Sequence, residues 1–592
     1  MRGCQTPEVG CSGACELSPL CSPSRIRVVL FALLTAAVTF GCGGRDSGGK
    51  IDPVSVEGEA SSGVGTPTIT ETSRIRFDDL AQKSGLRFIP QNGREAGLYT
   101  IAESLGTGVG LIDLDGDNNL DIVLPGGGTF DALGNPVGAP AGIFRQQNSL
   151  HFDEVSRGCG VDTGSLYTHG VGVADWNNDG FCDLVITGLR GVRMFQNEGD
   201  GTFQEITPES GIQQNTWATS VAFLDADNDG DLELYVVNYV DWRPDPERRC
   251  MIKGHRDTCP PGQFSAESDR LYDNQGDGTF VNLSSDFGLV DGGKGLAVMA
   301  SDIDIDGDTD IYVANDTNAN FLYVNDGTGK FTESALVSGC ALGATMQAEG
   351  SMGVAIADFD LDAVPDIWVS NYERQSFAMY QSRAPGIFQH VSAITGISAV
   401  GQMYVGFGTV DLDADLDGDQ DIFAANGHVM YESESSPLRQ YPLIYENLAG
   451  VRFRNVAAES GSYGSSKHMG RGVSAGDIDH DGKSDLVVAH INEPVSVLRN
   501  SSETQSGWVA VHLIGRASNR QAIGARATVN GQLRLQQSGG SYLSAGSAAL
   551  SWALPDPDVP AEIEVIWPSG KRKRQILVPN RTNFLIEDLD GS

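Results

Sequence analysis

The sequence predicts an all-β protein: a seven-bladed β-propeller whose last blade is completed by an N-terminal strand, followed by a small C-terminal β-rich domain. Three observations predict it. A nine-residue acidic loop recurs seven times at intervals of 50 to 77 residues. A strand-like run follows each copy. A second phrase, built on Phe and Gly, alternates with the loops.

Each loop carries oxygen-bearing side chains at positions 1, 3, 5 and 9. The copies are Asp113, Asp115, Asp117 and Asp121; Asp175, Asn177, Asp179 and Asp183; Asp225, Asp227, Asp229 and Glu233; Asp302, Asp304, Asp306 and Asp310; Asp358, Asp360, Asp362 and Asp366; Asp413, Asp415, Asp417 and Asp421; and Asp477, Asp479, Asp481 and Asp485. Convergent carboxylates on so short a loop repel one another unless a hard cation lies between them, so the spacing predicts calcium sites, up to seven. The bland alternative is an acidic solvated turn. It competes best at the second loop, with Asn177 and Cys182, and at the fifth, with Ala363 and Pro365. An EF-hand is excluded, because its bidentate Glu at position 12 is replaced by Leu124, Ile186, Val236, Val313, Val369, Ala424 and Val488. The β-branched alternation after each loop, as in Asp310-Ile-Tyr-Val-Ala, means strand rather than helix.

The second phrase reads Phe77-Asp-Asp-Leu-Ala-Gln-Lys-Ser-Gly85, with copies starting at Phe152, Phe203, Phe280, Phe331, Phe388 and Phe453. Asp-Gly turns such as Gly199-Asp-Gly-Thr precede several copies and signal hairpins. One unit is therefore four strands: A before the loop, B after it, C at Leu-Tyr-x-Asn stretches such as Leu271–Asn274, and D at the Phe. Strand A is rich in Gly and Ala (Gly170-Val-Gly-Val-Ala174), which would weaken an ordinary strand but suits backbones crowded around an axis. The first Phe phrase precedes the first loop, so Phe77 has no blade of its own. It is expected to close the seventh blade as its outer strand beside residues 495–499, hiding two sheet edges.

Domain limits follow: 1–42 a signal peptide, 43–73 a flexible Gly/Ser/Thr/Pro-rich linker, 74–502 the propeller and 503–592 the C-terminal domain. The apolar run Val28–Phe40 follows Arg25 and Arg27 and is too short to span a bilayer. It ends at Cys42 in a sequence resembling a lipobox, which implies a lipid anchor in a bacterial envelope; plain secretion is the alternative. Cys250 and Cys259 enclose a short loop and are expected to pair in an oxidising compartment. Formal net charge is −38, so nucleic acid is not an expected partner. A monomer is expected.

Longer B–C connections at 239–270, 427–442 and 125–142 gather on the face opposite the calcium loops, where ordered loops carry function. Strand B often ends in Asn there: Asn238, Asn315, Asn371 and Asn426, with His490 in the seventh repeat. With Trp242 these are the ligand-face candidates; the alternative is that each Asn caps its own turn. Tyr99, Tyr167, Tyr404, His169, His428 and His468 belong to the same face, each more simply read as packing. No nucleophile elbow, zincin motif or phosphate loop occurs.

The loops and their Gly-rich lead-ins resemble the FG-GAP/VCBS repeats of integrin α-subunit heads. Ser518-Asn-Arg-Gln-Ala-Ile-Gly-Ala-Arg526, Gly539-Gly-Ser-Tyr-Leu-Ser544 and Trp567-Pro-Ser-Gly570 resemble an ASPIC/UnbV domain. Together they are similar to bacterial relatives of the cartilage acidic protein family. The resemblance implies a calcium-binding propeller and no established reaction. In the C-terminal domain, Asn519, Arg520, Arg526 and Tyr542 are either a site or core and turns. The expected function is a non-enzymatic, exported binding or adhesion module for an extracellular glycan or protein, with structural calcium. A polysaccharide-processing enzyme or its accessory factor is the alternative, and a purely structural envelope component is the third reading.

Overall fold

The computed structural model describes residues 72–589 apart from 149, 213, 214, 246, 434 and 435; the expected signal peptide, Cys42 and nearly all of the linker lie outside them. Among the described residues, seven sheets each carry four antiparallel blade strands. Their inner strands are Gly110–Ile112, Tyr167–Ala174, Ala218–Leu224, Gly295–Ser301, Ser351–Ala357, Gly406–Leu412 and Gly470–Gly476. Each is followed outward by the strands B, C and D of its own repeat, except in the seventh sheet. There Phe77–Asp79 supplies the outer strand, with Phe77 opposite Asn500 and Asp79 opposite Leu498.

The inner strands are buried on both faces. Each pair of consecutive sheets shares one hydrophobic core, such as that of Val123, Ile143, Val171 and Ile186 between the first and second. The seventh and first share Val487, Val497, Leu111 and Ile122, so the sheets form a closed ring. Inner strands touch inner strands around the whole circuit.

The Gly that ends each Phe phrase now has a physical reason. Seven of them (Gly85, Gly160, Gly211, Gly288, Gly339, Gly396 and Gly461) have φ between +78° and +121°. Each lies under the carbonyl of the Phe that starts the next phrase along the ring. A Cβ on Gly160 would stand 1.9 Å from the Phe203 oxygen, and one on Gly461 would stand 2.3 Å from the Phe77 oxygen. Only a residue without Cβ allows both the left-handed turn and this approach. Gly461→Ala is therefore expected to lower stability by more than about 2 kcal/mol, read as a reduced urea midpoint with unchanged slope.

The C-terminal domain has its own core around Trp552, Trp567, Val511 and Ile563. One sheet runs Leu550–Leu554, Gly507–Ile514, Arg581–Ile586; the other runs Gln532–Leu535, Arg526–Val529, Ala561–Ile566, Arg572–Leu577. It is not a simple appendage beyond residue 503. Its strand Ser538–Tyr542 adds to the inner strand of the fourth sheet, with Ala300 opposite Ser538 and Ala297 opposite Tyr542.

The chain then continues along the axis. The Val171 N–H donates to the Leu543 carbonyl at 3.0 Å, and the Leu111 N–H to the Ala545 carbonyl at 3.0 Å. Leu543 N–H donates to Ser220 Oγ at 3.1 Å, Phe223 N–H to Ser538 Oγ at 2.9 Å, and Gln537 Nε2 to the Ile356 carbonyl at 2.7 Å. Thr409 N–H donates to Ser541 Oγ, and Ser474 Oγ donates to the Ala545 carbonyl at 2.9 Å. One segment, 537–547, thus bonds to all seven inner strands. The small residues of strand A do accommodate crowding, but what crowds them is this segment. A Cβ on Gly108 would stand 1.6 Å from the Leu543 oxygen.

Cys250 and Cys259 form a disulfide, with Cα atoms 5.2 Å apart. Cys159 and Cys340 are free and buried, and Cys182 is free and half-buried. No helix among the described residues is long and apolar enough to cross a membrane.

Candidate metal centres

Every acidic loop has the same backbone. Positions 4 and 6 are left-handed throughout, from Gly116 and Asn118 in the first loop to His480 and Gly482 in the seventh. The fourth loop holds even the β-branched Ile305 at φ 63°. That conformation costs energy in a branched residue and persists only where its surroundings enforce it. The tight turn aims backbone N–H groups at the first carboxylate. In the sixth loop, Asp417 N–H and Gly418 N–H each reach Asp413 at 3.0 Å. In the seventh, Asp481 and Gly482 do the same to Asp477 at 3.0 and 2.9 Å. The fifth loop keeps this geometry despite Ala363, which takes φ 65° and donates to Asp358 at 3.0 Å.

Position 9 has a different duty. In five of the seven loops one of its oxygens takes the N–H of position 2 and the other an N–H of strand C; Asp183 shows only the strand-C bond and Glu233 only the position-2 bond. Asp485 accepts from Ile478 at 3.0 Å and from Asn500 at 2.7 Å. Asp310 accepts from Ile303 at 3.0 Å and from Asn325 at 2.9 Å. It clasps the loop to its own sheet.

Carboxylate oxygens within each loop converge. Ligand atoms of Asp225, Asp227 and Asp229 lie within 4.8 Å of one another, as do those of Asp302, Asp304 and Asp306, of Asp358, Asp360 and Asp362, of Asp413, Asp415 and Asp417, and of Asp113, Asp115 and Asp121. Several are buried without a hydrogen-bond partner: Asp115 Oδ1, Asp225 Oδ1, Asp302 Oδ1, Asp360 Oδ1 and Asp479 Oδ1. Burial, opposed by loop N–H groups and reinforced by neighbouring carboxylates, pushes Asp358 up to about 6 and Asp477 to about 7. Asp366 is pushed to about 8. Such groups are unfavourable as bare anions. An all-oxygen set of clustered carboxylates with orphaned lone pairs fits a hard divalent cation.

Loop 2 is the poorest fit, as its sequence suggests. Asn177 turns its amide nitrogen to Asp179 at 2.8 Å. Protein cations also reach some loops. Arg145 pairs with Asp115, and Arg499 Nε lies 2.7 Å from Asp479. From the C-terminal domain, Arg526 Nε lies 3.1 Å from Asp302 and Arg520 Nε 3.6 Å from Asp175. That domain therefore docks on the face of the acidic loops. Asn519 is buried and braces its own turn through Ile523.

Sequence reading missed one recurrent residue. The Asn that closes strand C joins neighbouring acidic loops. Asn325 Nδ2 donates to the position-2 carbonyl of the preceding loop, Ala226, at 2.8 Å, and to the position-8 carbonyl of its own, Thr309, at 3.2 Å. Asn197, Asn274 and Asn447 repeat this double bond. Asn500 reaches Ala414, and Gln146 carries the link from the first sheet back to Ile478 of the seventh. The signal was present as Leu-Tyr-x-Asn, but a strand-end Asn gives no hint of the loop it reaches. In the fifth sheet Ser382 stands at this place and bonds locally to Ala384. Asn325→Leu, which strands two buried carbonyls, is expected to cost about 2–4 kcal/mol. Chemical denaturation should report it.

On the opposite face the insertions do gather. Trp242 Nε1 donates to Thr100 at 2.8 Å, and its ring meets Phe130 and Trp217. Tyr431 and Glu432 N–H groups reach Asp257 at 3.0 and 2.9 Å. The Asn ring, however, is turned inward. Asn238, Asn315, Asn371 and Asn426 are buried and donate to the carbonyls of Ser268, Ala319, Ser376 and Tyr441 within their own B–C connections. His490 is buried between the Pro494 carbonyl and the Tyr463 hydroxyl. These side chains cap turns, as short polar residues do. Tyr167, His169 and His428 are buried, and Tyr99 stacks edge-on against Tyr431. His468 stacks on Tyr463, and Tyr404 packs at the edge of the core shared by the fifth and sixth sheets.

Comparison with known proteins agrees with this architecture. A model of the FG-GAP-like repeat matches residues 128–236, 302–369 and 413–488. A model described as ASPIC and UnbV matches residues 515–591. Cartilage acidic protein 1 of Xenopus tropicalis is 25% identical over 396 residues, covering 65% of this chain and 56% of that protein. The Mus musculus protein is 23% identical over 380 residues, covering 62% and 54%. The chain thus spans about half the length of these relatives. Among solved structures, an Agrocybe aegerita lectin described as recognising non-reducing terminal N-acetylglucosamine aligns at 16% identity and TM-score 0.39, over 71% of this chain and 97% of its own. The BP39L lectin of Burkholderia pseudomallei aligns at 9% identity and TM-score 0.34, over 69% and 98%.

Proposed function

We propose that this chain, which carries FG-GAP-like repeats and an ASPIC and UnbV domain and is homologous to cartilage acidic protein 1, is an exported calcium-binding propeller that serves as a binding or adhesion module for an extracellular glycan or protein. The observation that carries the calcium reading is the set of converging carboxylates with buried, orphaned oxygens. Bound there, calcium would supply positive charge and directional oxygen coordination. The chain's own residues do the rest: position 1 is held by loop N–H groups, position 9 clasps strand C, and the strand-C amides relay one loop's position to the next.

Export is supported by the Cys250–Cys259 disulfide, since such bonds persist in oxidising compartments. A lipid anchor at Cys42 and a monomeric state remain part of the same reading. Calorimetric titration of metal-stripped protein tests the proposal. At least five carboxylate trios converge among the described residues, so uptake of five or more calcium ions per chain is expected. Uptake of less than one would overturn it.

A further inference from the structure

The strand-end Asn side chains of the insertion face cap their own turns, and the opposite face holds a cavity. It lies between the propeller's metal loops and the C-terminal domain and has a volume of about 470 Å³. That is the size of small-molecule sites, roughly 300–1,000 Å³. One wall is formed by the first carboxylates of five loops, Asp113, Asp175, Asp358, Asp413 and Asp477, with Arg534 beside them. The other is the C-terminal domain, where His512 stacks on Phe584 with ring centroids 5.3 Å apart and an interplanar angle of 16°. Phe584 is half exposed, at 51%. Gln536 and Gln537 line the interior. Gln536 is only 3% exposed, and its Oε1 has no hydrogen-bond partner. That oxygen lies just behind the cavity surface, so a small rotation of the amide is what would bring it to a hydroxyl donor in the cavity.

We infer that this interdomain cavity is a carbohydrate site, taking a mono- or disaccharide or the end of a glycan chain. The inference rests on the calcium-loaded binding module proposed above and locates its ligand. The chemistry matches a polyol on each side. Carboxylates and glutamine amides pair with hydroxyl groups, which both donate and accept. An aromatic face, negative through its quadrupole, suits the weakly positive C–H face of a pyranose ring. Calcium in the adjoining loops would relieve the charge of the acidic wall. The site also gives the C-terminal domain a role, since without it the cavity has a single wall.

Saturation-transfer difference NMR on the full-length, calcium-loaded protein tests this, with methyl glucoside, galactoside, mannoside and xyloside and methyl cellobioside as probes. Saturation of at least one probe is expected. For that probe, Phe584→Ala and Gln536→Leu should each raise Kd about tenfold while leaving the melting temperature of the calcium-loaded protein within a few degrees of native. Phe584 is exposed enough for its variant to fold, so it decides the matter if the Gln536 variant does not. Transfer to none of the probes, or transfer indifferent to both variants, would overturn the site. The calcium-induced melting shift, taken on the same sample first, separates the two readings. No shift removes the calcium module itself; a normal shift without sugar transfer removes only this cavity's role.

Discussion

In excess chelator the protein is expected to lose its cooperative thermal transition near the native temperature and to melt at least 20 °C lower, if it folds at all (~2.7 kcal/mol lost per independent site occupied at a hundredfold excess of calcium over Kd). Five trios would together account for about 13 kcal/mol, comparable to the whole stability of a typical domain, about 5–15 kcal/mol. The reason is local. Without cations each loop holds three or four carboxylates in a left-handed turn that Ile305, Leu361 and Leu416 would not adopt by preference. Protons are then the only substitute. Asp358, Asp477 and Asp366 have folded-state values raised to about 6, 7 and 8 by burial. A raised carboxylate pKa means that the folded state binds protons more tightly than the unfolded one, so its contribution is present at low pH and lost as pH rises through the folded value. The chelated protein should therefore melt highest near pH 4, at the ordinary value of 3.8, and progressively lower towards pH 8. Calcium should remove most of that slope. An identical melting curve with and without chelator would end the structural-calcium reading.

Features set by short-range chemistry were legible in the sequence. Position 9 could be paired with positions 1 to 5 because one turn contains them all. Strands could be told from helices after each loop by β-branching. The offset between the Phe phrases and the acidic loops placed Phe77 in the seventh sheet because counting needs no structure. What escaped depends on long-range contact. Asn325 closes an unremarkable strand, and nothing nearby in sequence says that its amide reaches Ala226, 99 residues earlier. Asn238 and Asn426 do cap turns, and their periodic spacing comes from the repeat itself. Ser538-Gly-Gly-Ser-Tyr542 has the composition of a loop, yet it forms a strand because the inner edge of Gly295–Ser301 offers unpaired N–H and C=O groups to whatever fills the axis. Small residues in strand A announced close approach without saying by which part of the chain.

The second large effect concerns that axial segment. Replacing residues 537–547 with a flexible Gly/Ser linker is expected to destabilise the propeller far more than the C-terminal domain, whose core of Trp552, Trp567 and Val511 is its own. Within the segment Tyr542 matters most. It is fully buried, its hydroxyl donates to the Leu105 carbonyl at 3.0 Å, and its ring meets Phe407 edge-on at 5.1 Å. Phe407 in turn lies under Arg471, a fully buried guanidinium that has carbonyl acceptors in Ser104, Gly427, Gly470 and His428. Tyr542→Ala would open a cavity beside a buried cation and should cost about 3–5 kcal/mol. Tyr542→Phe, which loses one hydrogen bond, should cost about 1 kcal/mol. Hydrogen exchange distinguishes axial loss from general weakening. The amides of Leu111, Val171 and Phe223 bond to the segment, so they should exchange orders of magnitude faster in the linker variant. The amide of Val487, paired to Val497 within the seventh sheet, should be affected far less while the ring stays closed. A chain ending at residue 502 that kept the native melting temperature and the protection of Leu111 and Val171 would show that the ring needs no axial strand.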